Sequence, residues 1–268
     1  MDKPGFQSAP SQLLDFHWYF DSAPTKDLGI TEKKIEEVHG DYIIGGIAGN
    51  LRDIVSIFNE LNLKNNTAGR KFVKSQENRF LANEILTRYI STGKLAVYGT
   101  VFYHSRIPEV IRKNPDLYVD DDNPNEKGIG GLRGRAFAQT IWGIMEPLKA
   151  IPQINPVVWL DNEDIAIQNC ISYHFYKQLK NTKPYARFNV QSKDQAQEGE
   201  PKGHKLSDIV CSILRNYIES PAEFPEINRV IEKTIKLDSK LEEVSFDGRV
   251  LHTNYQTRPV EKWDLSHH

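Results

Sequence analysis

The apolar positions along this chain change period several times, and each change marks an element. Residues 16–20, FHWYF, are aromatic without interruption and predict a buried strand that stops at Asp21. A polar, charged connection covers 22–39. The β-branched residues of GDYIIGGIAGN (40–50) then predict a second strand, with glycines that bulge it or let another backbone approach closely. From Leu51 the period becomes helical: Leu51, Ile54, Val55, Phe58 and Leu61 share a face, with Asn50 as the N-cap. A further helix runs on from Ser75, with Phe80, Leu81, Ile85, Leu86 and Tyr89 on one side. It leads through Gly93 into a third strand, LAVYGTVFYH.

Residues 108–135 read mostly as loop and include DDDNPNEKGIGGLRGR, after which AFAQTIWGIMEPLKA is helical. NPVVWLD is a short continuous apolar run between Pro156 and Asp161, as expected of a strand buried on both faces. A helix over 163–180, a strand in YARFNVQ and a helix in HKLSDIVCSILRNYIES follow, with a polar loop at 192–203 between the last two. Residues 225–243 read as helical and SFDGRVLHTN as a hairpin around Asp247 and Gly248. Strands first, then alternating helices and strands, predict an α/β fold: a mixed five-stranded sheet flanked by helices. Residues 1–220 form this domain, and 221–268 form a C-terminal helical and hairpin extension packed on it.

Composition narrows the function. A net charge of -2 excludes polyanion binding through bulk charge and leaves only local Lys/Arg clusters for that task. The two cysteines, Cys170 and Cys211, sit in apolar helical patterns and fit a reducing compartment rather than a disulfide framework. Neither an apolar leader nor a membrane span is evident, so a cytoplasmic location without membrane contact is expected.

Two strands end alike, FHWYF at Asp21 and PVVWL at Asp161. Aspartate after a strand is ordinarily a turn-starter. Acids at the strand ends of an open α/β sheet are also well placed to share a cation in the crevice there. Magnesium takes hard oxygen ligands, often only one or two carboxylates with substrate phosphate and water. In KLSDIVCSILRNY, Leu206, Ile209, Val210, Ile213, Leu214 and Tyr217 form the apolar stripe, and Asp208 falls opposite with Cys211, Ser212 and Arg215. Either that second side is solvated, or its small residues let the helix approach the sheet and aim Asp208 at the strand ends.

Asp21-Ser22-Ala23, the GDYIIGG of 40–46, Ser192-Lys193, VVWLD and HKLSDIV together resemble a bacterial family of unknown function, domain-of-unknown-function family three-thousand-eight-hundred. That family looks like a branch of the RNase H-like superfamily, and the resemblance spans roughly residues 16–220. It implies a Mg²⁺- or Mn²⁺-dependent nuclease acting on RNA or DNA, set in bacterial mobile elements or phage defence. Asp21, Asp161 and Asp208 are then the catalytic and metal-binding acids, with Asp21 bridging the metals. The chain departs from the pattern where Glu and Gly would follow Asp21. A fourth acid is not fixed: Glu163 and Glu84 are the nearest, and His104 ends the third strand. A catalytically degenerate subunit, binding nucleic acid or a partner protein, and an enzyme for small phosphoryl compounds stay open, as does homodimerisation.

Cations near these acids are candidates for the nucleic-acid backbone. Arg70, Lys71 and Lys74 precede a helix, Arg133 and Arg135 lie in the glycine-rich GIGGLRGR, and Lys193 with Lys202, His204 and Lys205 flanks the Asp208 helix. GIGGLRGR is neither a Walker A loop nor a dinucleotide fingerprint. DDDNPNEKG lacks the Gly and closing Glu of a calcium loop and reads as a solvated acidic loop. Cys170 and His174 lack the second ligand pair of a structural zinc site, and no nucleophile elbow is present.

Overall fold

The aromatic run and the β-branched run pair with each other, and the rest of the sheet grows outward from them. The computed structural model describes residues 14–24, 42–64, 67–103, 106–107, 109–113, 119–120, 123–145, 151, 154–160, 165–176, 186–190, 202–248 and 251–265. Strands β1 (Leu14–Pro24), β2 (Tyr42–Gly49) and β3 (Leu95–Phe102) pair antiparallel in sequence, with Asp21 opposite Gly45. On the other side of β1, β6 (Ile154–Leu160) and then β7 (Arg187–Val190) add in parallel. These are the five strands expected from the sequence.

Two more join the same sheet. β8 (Ile235–Phe246) pairs parallel with β3, and β9 (Leu251–Val260) returns antiparallel, giving the order β7-β6-β1-β2-β3-β8-β9. The expected helix at 225–243 therefore shrinks to α8 (Asn228–Lys233), and the expected hairpin lengthens at its expense. The physical reason lies in the pattern: Leu237 is buried while Glu242 and Glu243 are exposed, a half-buried edge ribbon whose mixed polarity resembles a charged helix.

Helices cover both faces of the sheet. On one face lie α1 (Leu51–Glu60), α2 (Gly69–Phe72), α3 (Gln76–Ser91), α7 (Lys202–Glu219) and α8, enclosing a core with Tyr19, Ile43, Ile47, Val97 and Val101. On the other, α4 (Glu109–Lys113), α5 (Gly128–Met145) and α6 (Ile165–His174) enclose Trp18, Phe20 and Ile44. Alternate residues of β1 thus feed two separate cores, which is why FHWYF carries a ring at every position. Residues 108–135 are not mostly loop: α4, a small hairpin of β4 (Val119–Asp120) and β5 (Asn123–Lys127), and the first turns of α5 account for most of them. No helix among the described residues is long and apolar enough to cross a membrane.

Local signals work where the sequence placed them. Asn50 accepts the Asp53 N–H at 2.9 Å and Ser75 accepts the Asn78 N–H at 3.4 Å, each closing a helix N-terminus. The buried side of α3 is rotated from the expected one: Phe80 and Leu81 are exposed, whereas Arg79, Ala82, Asn83, Ile85 and Leu86 face inward. Polar residues turn inward because each has a fixed partner. Arg79 meets Glu226, and Asn83 accepts the Val230 N–H at 3.0 Å.

Candidate functional site

Helix α7 lies directly over β1 and β2, and small side chains set how closely. A Cβ added at Gly45 would come within 2.7 Å of Cys211 Sγ, so glycine lets the helix settle onto the strand opposite Asp21. The Cys211 thiol then donates to the Asp21 carbonyl oxygen at 3.1 Å. His17, Tyr19 and Asp21 occupy alternate positions on β1 and so share the α7 face. Asp21 is half-buried, and its Oδ1 accepts the Ser22 N–H at 2.7 Å.

Asp208 sits less than one turn before Cys211 on the same helix. It is neither on a solvated face nor simply aimed at strand ends. Half-buried, it accepts the Gly69 N–H through Oδ2 at 2.6 Å, a bond between segments 139 residues apart. Gly69 opens α2, and the preceding residue, Ala68, has no side-chain cap to offer. The carboxylate takes over that role from another helix, with the short distance expected of a charge-assisted bond. Close approach again requires glycine: a Cβ at Gly69 would lie 2.6 Å from the Asp208 backbone carbonyl. Asp161, which follows the last residue of β6, lies outside the described residues, as do Lys193, Glu163 and His104.

Beside these acids, deeper under α7, is an aromatic cluster the sequence did not reveal. Tyr19 stacks on Trp159 at 5.7 Å between ring centroids, and His204 meets Tyr19 edge-on at 5.3 Å. Trp159 Nε1 donates to His17 Nδ1 at 3.1 Å. That bond needs the neutral imidazole, and burial pushes the His17 pKa down, opposed by the Asp15 charge and aided by Arg187. Burial also pushes the Tyr19 phenol up to about 12. His204 is a buried ring packed edge-on against Tyr19 and Trp159. Lys202 turns toward α1, donating to Asn59 Oδ1 at 3.3 Å.

The cations divide by layer. Arg70 and Lys74 line a cleft of about 370 Å³ between α2, the start of α3 and α7, with Arg79, Ser212, Arg215 and Phe224. Lys71 is exposed and does not line it. Arg133 and Arg135 are not on a flexible loop: GIGGLRGR forms the first turns of α5, whose helix lies on the opposite face of the sheet from α7. Arg79 closes the cleft wall. It donates to Glu226 Oε1 through Nε at 3.0 Å and Nη2 at 2.5 Å, and to the Val73 and Lys74 carbonyls through Nη1. Burial would raise the Glu226 carboxyl, but its backbone bond and the Arg79 guanidinium outweigh this and hold it below the ordinary range. Arg215 donates to Glu219 at 3.1 Å, one turn further along α7.

Among the described residues no group of three or more His, Cys, Asp or Glu side chains is placed to hold a metal ion. Asp21 and Asp208 supply hard oxygen donors of the kind Mg²⁺ or Mn²⁺ takes when phosphate and water complete the shell. No protein-family model and no curated protein matches this sequence.

Proposed function

We propose that this chain is a metal-dependent nuclease of RNase H-like type acting on RNA or DNA. The observation that carries the reading is the seating of α7 on β1. The Cys211–Asp21 bond brings the helix that bears Asp208 onto the strand that bears Asp21, on one face of the sheet. The strand pattern supports it too, since β3, β2, β1, β6 and β7 form a mixed five-stranded unit within the larger sheet. Asp21 and Asp208, with Asp161 by sequence, would hold Mg²⁺ or Mn²⁺, which lowers the pKa of a bound water and stabilises the leaving oxygen of a phosphodiester. The chain's own part is to fix those carboxylates and to steer a phosphate backbone with Arg70 and Lys74. From the resemblance to the bacterial family we further propose a setting in phage defence or mobile-element biology.

The test is cleavage of single- and double-stranded RNA and DNA with Mg²⁺ or Mn²⁺, and with EDTA. Asp21→Asn and Asp208→Asn are expected to abolish cleavage, and metal-independent activity or an active Asp21→Asn would sink the reading. One observation favours a second reading, a degenerate subunit that binds without cutting. Asp208 Oδ2 is already committed to Gly69, and Asp21 is followed by Ser22-Ala23 where the pattern has Glu-Ser-Gly. Tight nucleic-acid binding unaffected by EDTA, without turnover, is its signature.

A further inference from the structure

The cleft beside α2 is more specific than a basic surface, because its shape limits what can enter it. Four cationic residues line it, Arg70, Lys74, Arg79 and Arg215, against one lining carboxylate, Glu219, with Glu226 behind Arg79. Arg79 is held from several directions and its guanidinium carbon lies 5.0 Å from the Phe224 ring centroid, so the wall is a fixed cation stacked on an aromatic. Arg70 and Lys74 line it from exposed positions.

We infer that this cleft holds one nucleotide of a single-stranded nucleic acid, its phosphate between Arg70 and Lys74 and its base toward Arg79 and Phe224. About 370 Å³ lies at the small end of the range for ligand pockets, about 300–1,000 Å³, and suits one nucleotide. A duplex cannot enter such a recess, because its bases are stacked and its outer surface is convex. Aromatic and guanidinium planes beside cations are the means by which unpaired bases and their backbone are bound. The position relative to the acids follows from α7. Ser212 and Arg215 lie four and seven residues after Asp208, about 6 and 10 Å along the axis at about 1.5 Å per residue. The strand held in the cleft therefore passes close to Asp208 along the same helix. The meaning of that approach rests on the nuclease reading, whereas binding in the cleft does not.

The experiment is fluorescence anisotropy of a labelled oligothymidine 12-mer in EDTA across a salt series, with a duplex of equal length and with inorganic phosphate or a mononucleotide as competitors. Arg70→Ala and Lys74→Ala, both at exposed positions, are expected to weaken single-strand binding about ten-fold each. Each is also expected to reduce the logarithmic salt slope by about 0.7. Lys94→Ala, in an exposed turn before β3, is expected to bind as wild type. Unchanged binding by both cleft variants, equal affinity for the duplex, or binding of mononucleotide without the 12-mer overturns the inference. A separate cleavage assay with Mn²⁺ keeps the two ideas apart. Variant-sensitive binding with no cleavage sustains the cleft and removes the nuclease, while cleavage with a KM unmoved in Arg70→Ala and Lys74→Ala does the reverse.

Discussion

Replacing Glu226 by Gln tests how far the cleft wall depends on a single buried charge. Arg79 and Glu226 have side chains only 11% and 3% exposed, so the pair is screened little by solvent. Deleting one partner of a buried ion pair outright costs about 3–5 kcal/mol, because the other charge stays behind uncompensated. Gln keeps an acceptor oxygen for the two Arg79 donors, so only the charge-assisted part is lost. Two bonds falling from about 1.5–3 to about 0.5–1.5 kcal/mol each predict a net loss of about 2–3 kcal/mol at pH 7. With a urea slope of about 2–3 kcal/mol per molar, the unfolding midpoint should drop by about 1 M. The pH dependence gives a second handle. Glu226 titrates below its ordinary 4.5 in the folded chain, so its contribution is complete above about that pH and disappears as pH falls through the folded value. The gap between wild type and Glu226→Gln should therefore close under acid. A midpoint unchanged at pH 7, or a gap as wide at pH 3 as at pH 7, refutes the reasoning. Joint replacement by Met and Leu should recover part of the loss, but not all, since Arg79 also satisfies two backbone carbonyls.

Three further outcomes are expected. Gly69→Ala places a methyl 2.6 Å from the Asp208 carbonyl, so α2 must shift, costing about 1–3 kcal/mol by thermal unfolding and weakening oligonucleotide binding through Arg70. Asp208→Asn turns a charge-assisted bond to the Gly69 N–H into a neutral one, for a loss of about 1 kcal/mol by urea unfolding; no loss would show that the carboxylate is not the cap. His17 titrates below its ordinary 6.5, so the unfolded chain takes up its proton first and stability falls as pH drops below about that value. Imidazole proton shifts in NMR should show His17 more than half neutral at pH 6.5, and a His17 titrating at or above its ordinary value would contradict the Trp159 bond.

Period and punctuation carried much of the fold. All five central strands were legible because aromatic and β-branched runs buried on both faces leave few alternatives. The cap at Asn50 was legible too, because capping is a local signal. What failed depended on partners far away. The expected apolar side of α3 ran through Phe80, and only the turn containing Glu226, 147 residues from Arg79, explains why the arginine goes inward instead. Ile235–Phe246 carries enough charge to read as helix, and only the open edge of β3 makes it a strand. In the site, Arg70 and Lys74 came from sequence as part of a local cluster, whereas Arg79 and Phe224 could join it only through tertiary packing. The glycines of GIGGLRGR pointed to a loop, but helix is what the chain forms there.

The contact between Cys211 and Asp21 also has a meaning in time. It spans 190 residues, so the helix that completes the acidic face leaves the ribosome long after the strand it covers. At about 5–20 residues per second, that delay is about 10–40 s. Throughout it a nascent chain carries Asp21, Arg70, Lys74 and Arg79 without α7, so the proposed site is incomplete. If the proposed function holds, ribosome-bound fragments ending before Lys202 should neither bind nor cut nucleic acid.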